Sequence, residues 1–519
     1  MAAQPNRFFA SHLQGPIGSF HHGLGLVEIN WSDEARALRD DPGSIHRYDA
    51  DPQKQLRLVL EYTAVIHERI HHLHTFGTVA GVSLFTARLD FLRQFTRVAV
   101  NLRLAGTPWE LPLTAWTQRA DCPLEVKQLR RIARSFEVGS RAFLGAFQPF
   151  VQPEITEESW IIVPYQPPEK NTTIPIPAFP KSFSIQTADG QESHDMSLVY
   201  PLGYEAIIEG VAHSVVRSFA EQQFPSVSRD LMAQYGLGRL ELVHDPTGRS
   251  YPQQFVDSQY IYNVTDFMVS KFLRSHAIHA FPRDLVLRVS DIALSMGMVV
   301  VKHDGPAQSE IRWRMPGMLM IELLQKTAVA ELSQGRIGYP SSIDKHYRFF
   351  QEHIEQNGDW HTVVNKEDFL RATHVWESFV AQNISRPLLD KRLATHHSSF
   401  ATTEGLLELV FREPLPRIEV MNGSLKFENV PEEVRRAWCI LLFLNEIAQQ
   451  VFADSRVLRC PRAHRLLPGM DRLDVANGRC NKHERLGCGS WIPGESKYSP
   501  DCLFTHSLRE YGFIRGVAP

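Results

Sequence analysis

The sequence predicts a mainly α-helical protein with a small β and loop region, an α-helical lobe and a Cys-rich C-terminal module. Apolar residues recur at helical spacing from residue 52 to about 146 and over most of 202–455. Prolines interrupt β-favouring runs at about 149–200, which predicts short strands and loops. Four of the six cysteines fall within the last 60 residues. These patterns predict a first domain at 1–305 with a Pro-rich β insert at about 149–200, a helical domain at 306–455 and a Cys-rich module at 456–519.

The individual elements follow from local signals. The first 50 residues are rich in Gly, Phe, His and Asp, and they predict irregular structure with one short strand from Leu24 to Ile29. Asp51-Pro52 predicts a helix start, because Asp accepts hydrogen bonds from the first turn and proline fits the first helical position. Gly77 follows the last periodic residue and can end that helix. Further helices are predicted at 79–102, 124–146, 203–222, 227–237, 254–279, 283–301, 314–334, 366–381 and 431–453.

Composition excludes several classes of protein. The 519 residues are 43% hydrophobic and 22% charged, which excludes a mainly disordered chain. A formal net charge of −3 argues against a polyanion-binding role for the protein as a whole. The N-terminal residues lack the basic and apolar regions of a secretory signal, and the most apolar stretch, 292–301, is about half a membrane span. The sequence therefore predicts a soluble, cytoplasmic protein with no membrane partner.

The first long helix carries an H-E-x-x-H motif at 67–71. Residues four apart share one face of a helix, so the imidazoles of His67 and His71 can bind one metal ion. Glu68 lies about 100° further round, where it can accept a proton from water without binding the metal. Zinc in a catalytic site then needs a third protein ligand and an open position. Arg69 places an unusual charge between the two histidines, and His72 is predicted to lie on a solvated face.

A second helical segment at 204–213 carries a polar stripe on an otherwise apolar helix. Glu205, Glu209 and His213 follow one another at intervals of four residues. Buried carboxylates are costly unless they are paired or bind a metal. Gly210 leaves room for another helix to approach closely. This segment therefore supplies candidates for the third metal ligand.

Together, the H-E-x-x-H at 67–71 and the E-G-V-A at 209–212 resemble the gluzincin zinc metallopeptidases, in which a downstream E-G-x-A helix supplies the third ligand. The resemblance covers roughly 52–77 and 203–222. It implies a zincin-like two-helix metal site and hydrolysis of peptide bonds in a specific protein substrate. It also implies that one catalytic zinc is bound by His67, His71 and Glu209, with Glu68 as the general base.

Two assignments within this segment stay open. Glu205 is the alternative third ligand, in which case Glu209 orients a zinc histidine by a hydrogen bond. His213 is either a catalytic group beside the substrate oxyanion or a hydrogen-bonded core histidine. Gluzincins usually add a Tyr or His donor to that oxyanion, and the candidates are Tyr204, His213, Tyr260, Tyr262, His276 and His279.

The C-terminal cysteines predict a second, structural zinc site. Cys460, Cys480, Cys488 and Cys502 are separated by 19, 7 and 13 residues, without a short C-x2-C pair. The ligands are the four cysteines, or three of them with His464 or His483; the alternative is a set of reduced core cysteines. Residues 456–519 hold eleven Lys and Arg against six Asp and Glu, a local charge of +5. This charge favours either a solvated surface or a face for nucleic acid or an acidic partner protein.

Two other functions compete with the peptidase. One is a catalytically inactive, peptidase-like binding protein whose Cys-rich tail binds a partner or nucleic acid. The other is a di-iron carboxylate oxidase, because ferritin-like sites use carboxylates and E-x-x-H pairs on four helices. Its ligands would come from Glu61, Glu68, His71, Glu205 and Glu209.

Overall fold

A computed structural model places these elements in three dimensions. It describes residues 12–14, 18–22, 24–29, 32–145, 150–151, 161–165, 174–186, 193–227, 239–244, 250–256, 258–276, 283–303, 309–334, 337–358, 360–363, 371–421, 424–455, 458 and 503–513. The described residues are mainly helical, which confirms the mainly α-helical prediction.

The helices of the N-terminal half follow the predicted order. Asp51 begins the first long helix as expected, since its side chain accepts a hydrogen bond from Lys54 N at 3.0 Å and Pro52 occupies the first turn. Thr78 then begins the next helix by accepting from Gly81 N at 3.2 Å. These helices are α1 Asp33–Ala37, α2 Pro52–Gly77, α3 Val79–Leu104, α4 Leu113–Gln118, α5 Leu124–Leu144 and α6 Tyr204–Gln223, with a 3-10 helix at Pro42–Tyr48.

The C-terminal half is also mainly helical. Its helices are α7 Ser258–Ser275, α8 Arg283–Met296, α9 Pro316–Lys326, α10 Val329–Ser333, α11 Ile343–Gln356, α12 Trp360–Val363, α13 Ala372–Val380, α14 Arg386–Ala394, α15 Ser398–Ala401, α16 Thr403–Arg412, α17 Glu432–Phe452 and α18 Leu503–Glu510. A π-helical turn at Ala381–Ser385 joins α13 to α14. No described helix is both long and apolar enough to cross a membrane.

The strands form four small sheets in the described parts of the chain. A five-stranded sheet has the order β1-β2-β3-β12-β13, a four-stranded sheet has the order β4-β7-β6-β5, and β8-β9 and β10-β11 are hairpins. All pairs are antiparallel except β3 with β12. The strands are β1 His12–Gln14, β2 Gly18–His21, β3 Leu26–Ile29, β4 Phe150–Val151, β5 Ile161–Tyr165, β6 Ile174–Gln186, β7 Ser193–Pro201, β8 Arg239–His244, β9 Ser250–Val256, β10 Met298–His303, β11 Ser309–Arg314, β12 Arg417–Met421 and β13 Ser424–Glu428.

Some predicted boundaries are wrong. The helix predicted at 254–279 begins at Ser258, because the residues before it form β9. The helix predicted at 283–301 ends at Met296, because the β-branched run Val299–Val301 pairs with β11 instead. The strand expected at Leu24–Ile29 exists at Leu26–Ile29 and belongs to a larger sheet. Most of the helix predicted at 227–237 lies outside the described residues.

Helix α2 lies at the centre of the fold. It packs against α3, α6 and α16 and against strands β2 and β3. Strand β3, near the N-terminus, pairs in parallel with β12, so elements on both sides of residue 305 share one sheet. The domain boundary at 305 stays a prediction. A helix enclosed in this way carries polar side chains on its inner faces only where they pair or bind an ion.

Candidate metal centre

The H-E-x-x-H motif lies in the middle of α2. His67 and His71 occur one turn apart, and their ring centroids are 4.6 Å apart with an interplanar angle of 83°. Both side chains are buried, at 8% and 0% exposure. His71 Nδ1 has no hydrogen-bond partner among the described residues. Two imidazoles are thus presented to the same enclosed space.

Helix α6 packs against α2 and brings a carboxylate to these two rings. Glu209 Oε2 lies 2.8 Å from His67 Nε2 and 3.5 Å from His71 Nε2. The candidate ligand atoms of the three residues all lie within 4.8 Å of one another. Tetrahedral zinc with bonds of about 2.0–2.2 Å has ligand-to-ligand edges of roughly 3.3–3.6 Å, so the 3.5 Å distance matches such an edge and the 2.8 Å distance is shorter than one. This buried group could hold a metal ion.

Glu209 is held in its charged form. Burial would raise the pKa of its carboxyl, but attraction to His71 and His67, together with their hydrogen bonds, holds the pKa far below its usual range. Burial lowers the pKa of His71, and Glu209 only partly opposes this effect. A carboxylate and a neutral imidazole are the ionisation states in which these side chains bind metals.

Glu68 lies beside this group without belonging to it. Its side chain is 2% exposed, and Oε2 has no hydrogen-bond partner among the described residues. Burial and, next, repulsion from Glu209 raise the pKa of Glu68 well above its usual value. A cation bound by the adjacent ligands would lower that pKa again. The carboxyl can therefore exchange a proton close to the ligand group.

The other acidic candidates lie elsewhere. Glu205 is only partly buried and is not part of the ligand group, which contains Glu209. Glu61 accepts hydrogen bonds from Ser32 N and Oγ at 2.7 and 2.6 Å and from Arg57 Nε at 2.8 Å. These contacts hold Glu61 at the start of α1, so it is not a member of the ligand group formed by the described residues.

His213 is buried on the same side of α6 as Glu209. Burial is the main cause that lowers its pKa, to about 3, and the neighbouring Arg217 also contributes. His213 therefore stays neutral at physiological pH. His213 follows Glu209 by about one turn of α6, which places it on the side of the helix that carries the candidate ligand.

The prediction that His72 lies on a solvated face is wrong. Its side chain is 2% exposed and packs against the rings of Phe20 and Phe76, with centroid distances of 6.3 and 5.0 Å. Phe20 comes from strand β2, which covers this face of α2. The periodicity of α2 could not predict this burial, because the strand that covers His72 comes from the N-terminal segment.

Arg69, the charge between the two histidines, has an anionic partner. Its Nε donates to Glu419 Oε1 at 3.1 Å, and its Nη2 lies 3.1 Å from the same oxygen. Glu419 is 3% exposed and belongs to strand β12. The unusual charge in the motif is therefore used to join α2 to the five-stranded sheet.

Gly210 provides close approach, as the sequence predicts, but for a different helix. A Cβ atom at this position would overlap Thr265 Oγ1 on α7. Glycine thus allows α6 to pack closely against α7 on one side, while Glu209 reaches α2 on another. Gly210, directly after the candidate ligand Glu209, therefore allows the close contact between α6 and α7.

Sequence reasoning missed His22, which lies just after strand β2. It is 3% exposed, and its ring centroid is 6.4 Å from that of His71 and 5.6 Å from that of Tyr204. Nδ1 lies 3.0 Å from Thr75 Oγ1, whereas Nε2 has no hydrogen-bond partner among the described residues. The high histidine content of the chain is the one sequence signal that could have indicated it.

A cavity adjoins the metal centre at His22. Its interior is small, about 20 Å³, which is room for about one water molecule. Helices α2, α3, α5 and α6 and the residue His22 form its walls. The lining residues are His22, Thr75, Gly81, Leu84, Phe85, Arg88, Phe136, Ser140, Leu144 and Tyr204.

Several predicted site residues either lie outside the described residues or are not part of the candidate metal centre. Cys460, Cys480, Cys488 and Cys502 lie outside the described residues, so the tail zinc site stays a prediction. His276 is exposed at the end of α7, where its Nδ1 lies 2.9 Å from Phe272 O. The side chains of Tyr260 and Tyr262 and the whole of His279 are not among the described parts of the chain.

The chain was compared with protein-family models, with curated proteins and with solved structures. None of the three comparisons gives a significant match. The site is therefore interpreted from its own residues.

Proposed function

We propose that this chain is a zinc-dependent metallopeptidase with a zincin-like site on α2 and α6. The observation that carries the proposal is the buried group of His67, His71 and Glu209 with the carboxyl of Glu68 beside it. Two imidazoles and one carboxylate form a donor set that catalytic zinc uses in proteins. His71 Nε2 and Glu68 Oε2 are buried polar atoms without a hydrogen-bond partner among the described residues, which pairing within the protein leaves unexplained.

The proposed chemistry is hydrolysis of a peptide bond. Zinc held by these ligands would lower the pKa of a water molecule and polarise the substrate carbonyl. Glu68 accepts a proton from the water whose oxygen forms the new bond to the carbonyl carbon. The same side chain then donates that proton to the amine nitrogen as the carbon–nitrogen bond breaks.

His213 is proposed as a second catalytic group. Because its imidazole is neutral, one ring nitrogen carries a proton that can be donated to the substrate oxygen. The substrate is proposed to be a protein or peptide. A structural zinc in the Cys-rich module at 456–519 is part of the same proposal and rests on the cysteine spacing alone.

The test separates metal binding from catalysis. Zinc-loaded wild type and Glu68→Gln are incubated with a mixed peptide library, and cleavage is followed by mass spectrometry. We expect Glu68→Gln to keep its zinc and to lose roughly 10²–10⁴-fold in cleavage rate, the usual contribution of a general acid–base group. Glu205→Gln, on the helix of the third ligand but outside the ligand group, is the matched control and should cleave normally.

Equal cleavage by Glu68→Gln and wild type would contradict the peptidase proposal. Full zinc occupancy without any Glu68-dependent cleavage would favour the inactive, peptidase-like binding protein. Bound iron with oxidase activity would favour the di-iron alternative.

A further inference from the structure

Thr75 continues the line of candidate ligands along α2. His67, His71 and Thr75 are spaced four residues apart, so all three lie on one face of the helix. That face packs against α6, where Glu209 meets the two histidines. Thr75 is 1% exposed, so its hydroxyl is enclosed about one turn beyond His71.

The hydroxyl of Thr75 contacts two other segments of the chain. Its Oγ1 lies 3.0 Å from Nδ1 of His22, just after strand β2, and 3.4 Å from the hydroxyl of Tyr204, the first residue of α6. A hydroxyl can donate one hydrogen bond and accept others, so either neighbour can be the donor. Whichever way the protons lie, Thr75 joins α2 to the N-terminal segment and to the helix that carries Glu209.

The ring of His71 is oriented by packing. A histidine that binds a metal through one nitrogen usually holds its other nitrogen in a hydrogen bond, which fixes the ring. Nε2 of His71 lies 3.5 Å from Glu209 Oε2, whereas Nδ1 has no hydrogen-bond partner among the described residues. The rings of Phe20 and His22 neighbour it instead, with centroids 6.2 and 6.4 Å from that of His71. The orientation of His71 therefore depends on the segment that Thr75 holds.

The contact with Tyr204 also sets how α6 lies along α2. The two helices run antiparallel. Tyr204, at the start of α6, meets Thr75 near the end of α2. Towards the other end, the ring centroids of Phe219 and Tyr62 are 5.7 Å apart. Glu209 lies between these two contacts, and a metal ligand has to be held to within about 0.5 Å of its productive position.

We propose that Thr75 is a positioning residue of the metal centre. Its hydroxyl holds the His22 ring beside His71 and joins α6 to α2, so that Glu209 and both histidines of the motif meet at one ion. This role rests on the proposed function, because it concerns the same metal site. A threonine hydroxyl is not among the usual zinc ligands, so Thr75 acts through its neighbours.

The experiment measures metal binding by the full chain. Zinc affinity is determined by competition with a chelator, and Co²⁺ replaces zinc in a second measurement because its visible absorption spectrum reports coordination geometry. The His67→Ala/His71→Ala variant gives the background, so that metal bound by the Cys-rich module is subtracted. We expect Thr75→Val, which keeps the shape and removes the hydroxyl, to weaken zinc binding about 10–100-fold and to change the Co²⁺ spectrum. Thr75→Ser keeps the hydroxyl and should recover most of the affinity.

Thr63→Val is the matched control. Thr63 lies one turn before His67 on the same face of α2, is 0% exposed, and donates to Val59 O at 2.8 Å within its own helix. This substitution removes a buried hydroxyl without separating α2 from its neighbours, so zinc affinity and the Co²⁺ spectrum should stay as in wild type. Equal effects of Thr63→Val and Thr75→Val would overturn the proposal, because general loosening of α2 would then explain both.

Unchanged zinc affinity and an unchanged spectrum in Thr75→Val would also overturn the proposal, as would failure of Thr75→Ser to restore them. If thermal unfolding shows that Thr75→Val does not fold, His22→Phe decides, because it keeps a ring beside His71 and removes the contact with Thr75. Wild-type affinity in that variant would overturn the positioning role while the zinc site itself stands. Equal zinc binding by wild type and His67→Ala/His71→Ala would instead contradict the proposed metal site and, with it, the role of Thr75.

Discussion

Arg69 and Glu419 form an ion pair between strand β12 and helix α2, which carries the candidate metal ligands. They are 350 residues apart in the chain, and their side chains are 12% and 4% exposed. Arg69 lies between the two histidines of the motif, so the pair fixes the turn of α2 that carries the candidate ligands. Arg417 lies near enough for repulsion from Arg69 to lower its pKa, although burial is the larger cause and Glu419 opposes both.

Removing one member of this pair should destabilise the protein. We expect Glu419→Ala to lower the free energy of unfolding by about 3 kcal/mol, because it leaves a buried guanidinium without an anion and next to Arg417. The double variant Arg69→Met/Glu419→Leu should recover most of this loss, since it removes both charges. Urea unfolding of wild type, Arg69→Met, Glu419→Leu and the double variant measures the coupling. Additive effects of the two substitutions would show that the pair contributes no coupling energy.

The zinc content should depend on His67 and His71 and not on the neighbouring His72. We expect His67→Ala/His71→Ala to lose one zinc per chain by elemental analysis, from two to one if the tail also binds zinc. His72→Leu is the matched control, because His72 is equally buried on the same helix but outside the ligand group. An unchanged zinc count in the double alanine variant would mean that the H-E-x-x-H does not hold zinc, and the peptidase proposal would be abandoned.

Gly210 should tolerate no side chain while Thr265 is present. A methyl group at 210 would overlap Thr265 Oγ1 and force α6 and α7 apart, and overpacking of this kind typically costs about 1–3 kcal/mol. We expect Gly210→Ala to lower stability by that amount and to weaken zinc binding, because Glu209 is the adjacent residue. Thr265→Ala removes the overlapping atom and should partly restore both properties. Thermal unfolding with and without zinc tests this, and full stability of Gly210→Ala alone would contradict it.

The sequence alone predicted those features of the fold and of the site that depend on residues close together in the chain. Asp51-Pro52 and Gly77 bound α2 because capping and proline geometry act within one turn. Glu205 and Glu209 could be identified as candidate ligands because carboxylates on an apolar helix need partners, and the resemblance of the E-G-V-A segment favoured Glu209. Both arguments use residues within one helix.

Long-range pairing accounts for what the sequence did not predict. His72 is buried by Phe20, and His22 reaches the centre through the turn after β2. The charge of Arg69 is neutralised by Glu419, which lies 350 residues further along the chain on strand β12. The parallel pairing of β3 with β12 brings these segments together, and no periodicity within either segment encodes that pairing.

His353 should make the protein sensitive to acid. Burial, and next the positive charge of Arg93, lower the pKa of this side chain in the folded protein to about 4, against an ordinary value of 6.5. Between these two values the unfolded chain binds the proton and the folded chain does not. Stability from this residue is therefore complete above pH 6.5 and is lost as the pH falls from 6.5 towards 4.

The expected loss between pH 7 and pH 5 is at most about 2 kcal/mol from His353 alone. His353→Gln has no proton to bind in this range, so its stability should fall less over the same interval. Other buried histidines, such as His74 with a pKa lowered to about 4, mainly by burial, titrate in both proteins and cancel in the comparison. Urea unfolding of wild type and variant at pH 7 and pH 5 gives the difference directly. Parallel loss of stability in the two proteins would show that His353 binds its proton equally well in the folded and unfolded states.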